Sequence, residues 1–226
     1  MPKLSGPVFE PASKQPASSI VLLLHGYGAN GEDLIGLAPP LSKALPDTVF
    51  LSPNAPFPCE GNSNGGFQWF DVWQKEGKDR IKAVRYAAEI VKAYVTAELE
   101  KRDLDLSRMV FLGFSQGTML SLHLGLRLEN PCGAIVGYSG RLEAPELLEK
   151  EIRSRPPVIL IHGEEDPLLP VEMMDAAEKE LRANHVDIGL VRKDSNLANG
   201  IEFGFASIRG CTTHGSGWRT AANVGV

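Results

Sequence analysis

The sequence of 226 residues is poor in three features that each indicate a particular class of protein. It has only three cysteines, Cys59, Cys132 and Cys211, at wide spacing and without a C-x-x-C pair, which favours free thiols in a reducing compartment over disulfides or a zinc site. Its longest uninterrupted aliphatic run, Ile20 to Leu24, is far shorter than the roughly 20 residues of a membrane-spanning helix. The opening residues MPKLSGPVFEPASK lack the apolar core of a signal peptide.

Positive charge is also scarce. The formal net charge is −5, and no local patch of lysine and arginine provides a field that would attract phosphates. These absences predict a cytoplasmic protein with no membrane span and no nucleic-acid partner. The length suits one α/β domain and is short for two.

Five short apolar runs predict the strands of a parallel sheet. They are nearly continuous, as expected for strands covered on both faces, and read SIVLLLHG, TVFLSP, RMVFLGF, GAIVGYSG and PVILIHG. Helical periodicity is present in four stretches: Arg80 to Arg102, SQGTMLSLHLGLRLEN, APELLEKEIRSR and VEMMDAAEKELRAN. Strand and helix in alternation predict a single α/β domain over residues 1–226, with a mostly parallel, doubly wound sheet and helices on both faces.

Two stretches depart from this alternation. The connection from Pro53 to Trp73 is rich in Pro, Gly and Asn, and loops of this length are usually functional or disordered. Residues 194–226 contain six glycines, two acids and no clear helical or strand period. We interpret them as an atypical tail, divergent or disordered, that is not expected to supply the closing helix of such a domain.

Ser115 is the predicted nucleophile. The segment LGFSQG places Gly113, Ser115 and Gly117 in G-x-S-x-G spacing directly between a predicted strand and a predicted helix. That turn needs small residues beside the serine, and the helix start directs N–H groups at a developing oxyanion. The alternative interpretation is a serine N-cap between two turn glycines.

Two further segments offer groups that a serine nucleophile needs. In LLLHGYGANGED, the glycines would let the backbone N–H of Tyr27 reach a substrate carbonyl, while His25 is expected to be structural. In LIHGEEDPLLP, Asp166 follows a later strand, where a carboxylate that orients a histidine belongs. The alternative for Asp166 is an acidic turn that caps the next helix.

A family resemblance becomes visible in several motifs taken together. HGYGANGEDL, SPNAPFP, FQWFDV, GFSQGTMLSLHLGL, GYSGRL and ILIHGEEDPLLP resemble, in order, the acyl-protein thioesterase and carboxylesterase (phospholipase/carboxylesterase) branch of the α/β-hydrolases, in its bacterial form. The resemblance implies an α/β-hydrolase fold and a serine hydrolase, without cofactor or metal, that cleaves carboxylic esters or thioesters of small or acyl-chain substrates.

The same resemblance implies roles for individual residues. Ser115 is the nucleophile, Asp166 the orienting acid, and the N–H groups of Tyr27 and Gln116 form the oxyanion hole. Side chains in the loop beside the acyl groove are candidates for substrate contact, with packing of a long loop as the alternative: Gln68, Trp69 and Phe70. The expected partners are a small ester, an acyl thioester or an acylated protein, and relatives of this branch are monomers or homodimers.

The catalytic histidine is where the sequence departs from the family. Asn199, in NLANGIE, occupies the position where the family carries its base, and an amide cannot cycle a proton at neutral pH. His214, in THGSG, has suitable neighbours but comes about fifteen residues late. Either the loop is longer and His214 folds back to Ser115, or the tail has diverged, through a reading-frame change for example, and the base is lost. His185 and His123 are poorer candidates.

Two functions follow from these alternatives. The first is an esterase or thioesterase in which Ser115, His214 and Asp166 form a catalytic triad. Within enzymes, the second choice is a lipase-like or dienelactone-hydrolase-like member of the same fold, although a serine nucleophile disfavours the latter. The other function is a non-catalytic acyl-binding protein of the same fold, without a working histidine.

Overall fold

A computed structural model describes residues 1–59, 66–71 and 77–193, together with the backbone of residues 211–214 and 217–220. Its strands are β1 (Val8–Phe9), β2 (Ser19–Leu24), β3 (Thr48–Leu51), β4 (Phe57–Pro58), β5 (Phe67–Gln68), β6 (Met109–Phe114), β7 (Ala134–Tyr138), β8 (Val158–Gly163), β9 (Ile188–Lys193), β10 (Cys211–His214) and β11 (Gly217–Thr220). Its helices are α1 (Gly31–Ile35), α2 (Ala38–Ser42), α3 (Lys78–Glu100), α4 (Gln116–Gly125), α5 (Leu148–Glu151) and α6 (Glu172–Ala183).

Seven strands form one sheet in the order β1-β3-β2-β6-β7-β8-β9. β1 is antiparallel to β3, and all other neighbours are parallel. The strand order runs outward from β2 to β3 on one side and from β6 to β9 on the other, so it reverses between β2 and β6. Ligands of open parallel sheets bind beyond the carboxyl ends of the strands at such a reversal. The loop after β2 and the turn after β6 both begin there.

The central strands are buried on both faces, as their continuous apolar sequences predict. In β2, Ile20, Leu22 and Leu24 belong to the core that contains residues of α3, α4 and α6. The intervening Val21 and Leu23 belong to a second core, which contains residues of α1 and α2. Burial of this alternating set supplies the main driving force for the fold, and it fixes the end of β2 next to the end of β6.

The predicted strands are confirmed as β2, β3, β6, β7 and β8, and three of the four predicted helices are confirmed as α3, α4 and α6. The fourth helix, predicted over residues 144–155, is mostly wrong: only a 3-10 turn at Pro145–Leu147 and the short α5 form. No helix in the described ranges has the length and apolar character needed to cross a bilayer.

Two of the cysteines are free thiols, as predicted. Cys59 and Cys132 are buried free thiols. Burial raises the pKa of the Cys132 thiol to about 12, so it carries no thiolate at neutral pH. The side chain of Cys211 lies outside the described residues.

A buried ion pair joins α3 to the segment after β7. Arg80 donates to Glu143 through Nε at 2.8 Å and through Nη2 at 2.7 Å, and the two side chains are 9% and 7% exposed. The guanidinium of Arg80 also lies over the ring of Phe70, 5.5 Å from its centroid. Such a bidentate pair compensates two charges that would be costly to bury alone.

Replacing Glu143 by alanine is expected to lower the free energy of unfolding by about 3–5 kcal/mol, because Arg80 is left buried without its carboxylate. Burial alone raises the pKa of Glu143, but the hydrogen bonds from Arg80 and the charge of Arg141 outweigh it and lower the pKa below the usual 4.5. This contribution is therefore complete above pH 4.5 and is lost as the pH falls through the lower, folded-state pKa.

Urea unfolding at neutral and acidic pH measures both effects. The stability difference between the wild type and Glu143→Gln should shrink at acidic pH, whereas the exposed Glu149→Gln should show little difference at either pH. A stability difference between wild type and Glu143→Gln that does not change with pH would contradict a stabilising role for the ionised Glu143 carboxylate.

Candidate active site

Ser115 occupies a sharp turn between β6 and α4. Its φ of 51° and ψ of −111° form a conformation that costs a residue with a side chain about 1–3 kcal/mol. The turn is held by hydrogen bonds from Ser115 N–H to the carbonyl of Tyr138 at 2.8 Å and from Met119 N–H to the carbonyl of Ser115 at 3.1 Å. The Ser115 side chain makes no capping hydrogen bond to the helix. Ser115 thus occupies the N-cap position of α4 without capping the helix through its side chain, and the strained turn has the form of a nucleophile elbow.

Gly113 and Gly117 are needed because backbone passes directly against them. A Cβ on Gly117 would lie 1.8 Å from the carbonyl oxygen of Leu24, and one on Gly113 would lie 2.4 Å from the carbonyl carbon of Gly117. A side chain at Gly117 would push α4 away from β2, and one at Gly113 would push α4 away from β6. The spacing of the glycines thus brings the start of α4 to the end of β2.

The loop after β2 lies beside Ser115. A Cβ on Gly26 would be 3.4 Å from the Cβ of Ser115, so the Gly26–Tyr27 backbone borders the serine side chain. His25 stabilises this loop: its Nε2 accepts from Ala55 N–H at 2.9 Å, so its Nδ1 carries the proton and donates to the carbonyl of Gly26 at 2.7 Å. Burial lowers the pKa of His25, which favours the neutral ring. His25 is structural, as predicted.

The side chain of Gln116 connects the elbow to the loop that contains Trp69. Its Oε1 accepts from Trp69 N–H at 2.8 Å, and its Nε2 donates to the carbonyl of Phe70 at 2.6 Å. Trp69 in turn donates from its indole nitrogen to the carbonyl of His25 at 2.9 Å. The first residue of α4 therefore fixes the Trp69 loop, which fixes the loop after β2.

Replacing Gln116 by methionine should preserve volume but leave two buried backbone groups unpaired, at about 1–3 kcal/mol for each group. We expect a lower free energy of unfolding, together with a fall in kcat that exceeds the rise in KM, because the Gln116 side chain fixes the Trp69 loop and, through it, the loop that would supply the Tyr27 N–H. Urea unfolding and ester hydrolysis measure the two effects. Ser121→Ala, at another buried position of α4, is the control. A loss of stability with unchanged kcat per folded molecule would restrict Gln116 to a structural role.

The three residues predicted to contact substrate differ in exposure. Trp69 and Phe70 are 0% and 2% exposed and belong to the hydrophobic core. Their burial favours the packing interpretation over direct contact of the rings with substrate. Gln68 is half-buried and donates from Nε2 to the carbonyl of Pro58 at 3.2 Å, so it alone of the three retains access to the surface.

Asp166 follows β8 at the same edge of the sheet as Ser115. Its Oδ1 accepts from the N–H groups of Leu168 at 2.9 Å and Leu169 at 3.0 Å, so the carboxylate does fix its own turn. The side chain is 4% exposed, and Oδ2 lies 3.7 Å from Nε2 of His162. Within the described part of the chain, Oδ2 accepts no hydrogen bond, which leaves it available to a histidine.

None of the other described histidines is placed to serve Ser115. Burial and the charge of Arg127 lower the pKa of His123 to about 3, and its ring lies two turns along α4 from the serine. His162 Nε2 donates to the carbonyl of Leu169 at 2.8 Å. His185 follows the end of α6, at the amino edge of the sheet, which is the edge opposite to Ser115.

The backbone of His214 ends a hairpin that the sequence did not predict. β10 and β11 pair antiparallel, with His214 opposite Gly217. The strand β11 contacts the 3-10 turn at Leu106–Arg108, before the amino end of β6, whereas Ser115 follows its carboxyl end. This arrangement does not bring the hairpin to the serine. The side chain of His214 and all of Asn199 lie outside the described residues.

The site and the sheet together define a class of protein. A strained serine between a parallel strand and a helix, beside a glycine loop at the reversal of strand order, is the arrangement of the α/β-hydrolases. The chain belongs to the phospholipase/carboxylesterase family, whose model matches residues 8–193. The predicted family and single-domain α/β-hydrolase fold are confirmed.

Individual relatives agree with this family. Acyl-protein thioesterase 1 of Kluyveromyces lactis is 28% identical over 181 residues, which are 74% of this chain and 78% of that protein. Acyl-protein thioesterase 1 of Saccharomyces cerevisiae is 30% identical over 71% of this chain and 75% of its own. The crystal structure of esterase PE8 is 38% identical, with a TM-score of 0.84 over 92% of this chain and 98% of that one.

Proposed function

We propose that the protein is a serine hydrolase that cleaves carboxylic esters or thioesters through an acyl-enzyme on Ser115. The observation that carries the proposal is the strained conformation of Ser115, with φ of 51° and ψ of −111°, beside Gly26 at the reversal of strand order. Strained residues of this kind are concentrated at active sites, where the surrounding structure holds them in place. The relatives named acyl-protein thioesterase and esterase support the same class of substrate.

In the proposed reaction, the Oγ of Ser115 attacks the acyl carbonyl while a histidine takes its proton. The oxyanion that forms accepts hydrogen bonds from the N–H groups of Tyr27 and Gln116. Collapse of this tetrahedral intermediate expels the alcohol or thiol, which receives the proton from the histidine. Water then attacks the acyl-enzyme by the reverse proton transfers and releases the carboxylic acid.

We assign His214 as the base by elimination. The chain has five histidines, and His25, His123, His162 and His185 are committed to other contacts or placed away from Ser115. Asp166 would accept the Nδ1–H of His214 at its Oδ2 and hold the ring in the active tautomer. The assignment requires the β10–β11 hairpin to leave the 3-10 turn at Leu106–Arg108 and reach the carboxyl edge of the sheet.

A fluorophosphonate probe followed by peptide mass spectrometry tests the proposal, because the probe reacts rapidly only with an activated serine. We expect labelling at Ser115 and its loss in Ser115→Ala. Paired assays with p-nitrophenyl butyrate and a butyryl thioester then rank oxygen esters against thioesters. No labelling by a folded wild-type protein would refute the proposal and favour an acyl-binding role.

A further inference from the structure

Two clefts flank the segment from Arg141 to Pro145, which follows β7. One has a volume of about 340 Å³ and includes Arg80, Glu143 and Glu146 in its wall. The other has a volume of about 330 Å³ and is lined mainly by apolar atoms, including those of Met173, Ala176 and Ala177 of α6. Both clefts share Arg141, Leu142 and Pro145.

This segment lies against the nucleophile elbow. A Cβ on Gly140, the residue before Arg141, would be 3.1 Å from the carbonyl oxygen of Ser115. On the side of α3, Nη2 of Arg80 lies 3.9 Å from the sulfur of Met119, one turn along α4 from Ser115. The segment that borders both clefts therefore begins in contact with the turn that carries Ser115.

Two arginines contact the carboxylate of Glu143. Arg80 is buried, and both oxygens of Glu143 accept from it. Arg141 donates from Nε to Oε1 of the same carboxylate at 2.9 Å. Two guanidinium groups thus share one carboxylate, and the buried Arg80 depends on it more strongly. Arg141 is the more exposed of the two, with a side chain that is 23% exposed against 9% for Arg80.

Arg141 also has unused donors. Its side chain is 23% exposed, and within the described residues its Nη1 and Nη2 atoms make no hydrogen bond to the protein. Glu146 lines one cleft and Glu180 the other, but neither forms an ion pair with Arg141 in the described structure. These acids weaken any general attraction for anions, so binding depends on direct contact with the guanidinium.

We propose that Arg141 binds a carboxylate carried by the substrate, so that the enzyme prefers esters with an anionic group near the reacting carbonyl. The Nη groups supply two parallel donors for the two oxygens of a carboxylate, while the Nε bond to Glu143 fixes the plane of the guanidinium. The mainly apolar cleft on the other side accommodates the methylene chain. This inference rests on the proposed hydrolase function.

The test compares phenyl hexanoate with monophenyl adipate, an ester of equal chain length that ends in a carboxylate. We expect Arg141→Gln to lower the ratio of kcat/KM for monophenyl adipate to that for phenyl hexanoate by about tenfold or more, mainly through KM. Arg141→Lys should recover part of the ratio because lysine keeps the positive charge but lacks the two parallel donors of the guanidinium. Lys179→Gln removes one charge from the apolar cleft alone and should change the ratio little.

A second pair, 4-carboxyphenyl and 4-carbamoylphenyl butyrate, places the anion on the leaving group. A fall in either kcat/KM ratio in Arg141→Gln supports the role of Arg141. The pair that shows the fall identifies whether Arg141 binds the acyl part of the ester or its leaving group. Equal kcat/KM ratios for wild type and Arg141→Gln in both pairs of esters overturn the proposal that Arg141 binds a substrate carboxylate. If the wild type hydrolyses none of these esters, the proposed function fails, and calorimetric binding of monophenyl adipate to Ser115→Ala, with and without Arg141→Gln, decides the binding role separately.

Discussion

Replacing Ser115 by alanine is expected to lower kcat for p-nitrophenyl butyrate by on the order of 10⁴ to 10⁶. The nucleophile is lost outright, so the reaction must proceed by direct attack of water on the bound ester. The Tyr27 and Gln116 N–H groups would still stabilise the oxyanion, and residual catalysis of about 10³ to 10⁴ over the uncatalysed rate is expected from them and from binding. The rate of p-nitrophenol release, compared with the uncatalysed rate in buffer, measures the loss of kcat directly.

Ser139→Ala is the matched control. Ser139 is also a buried serine at the carboxyl edge of the sheet, 2% exposed, with a φ of 43°. Its N–H donates to the carbonyl of Ile161 at 2.9 Å, a bond that alanine retains. We expect nearly wild-type kcat from this variant and native circular dichroism from both. A Ser115→Ala protein that is folded and retains its turnover would remove the serine from the mechanism.

The elbow could be predicted because its determinants are local. Gly113, Ser115 and Gly117 lie within five residues, and the apolar run before them and the helical pattern after them each span a single element. The same holds for the strands, whose continuous apolar sequences reflect burial on both faces. Local pattern and tertiary structure agree at these positions, which is the condition for a sequence to be interpreted correctly.

The supporting contacts could not be predicted because they join distant parts of the chain. Gln116 binds the backbone of Trp69, 47 positions away, and Arg80 binds Glu143, 63 positions away. Sequence spacing carries no information on such pairs until the sheet brings them together. For the same reason, the aromatic residues of the long loop resembled exposed groove residues, whereas Trp69 is in the core.

The short α5 illustrates tertiary contacts that override a helical pattern. The chain turns away from the helix at Ile152, and the N–H groups of Arg153 and Ser154 donate to the carbonyl of Leu126 at 2.9 and 3.3 Å. Two prolines follow at 156 and 157, and a residue before proline is biased towards extended backbone. The apolar spacing of APELLEKEIRSR continued past the point where these restraints end the helix.

Replacing His214 by alanine is expected to lower kcat nearly as far as Ser115→Ala does, because members of a triad act as one unit. In the wild type, kcat/KM should also rise with increasing pH, with a midpoint near the pKa of histidine, and His214→Ala should lose this pH dependence. Added imidazole should restore part of the activity of His214→Ala, since it supplies a base in the space of the missing ring. A purely structural histidine would not be rescued in this way.

His185→Ala is the control, because His185 lies at the opposite edge of the sheet from Ser115. The contrary outcome is equally specific: a wild type as slow as His214→Ala, without rescue by imidazole, would mean that the hairpin does not reach Ser115. Asn199 could not then substitute, because an amide has no basic nitrogen to take the serine proton. The Ser115 elbow and the loop at Tyr27 would persist as an acyl-binding site, and the strain at Ser115 would be a remnant of catalysis.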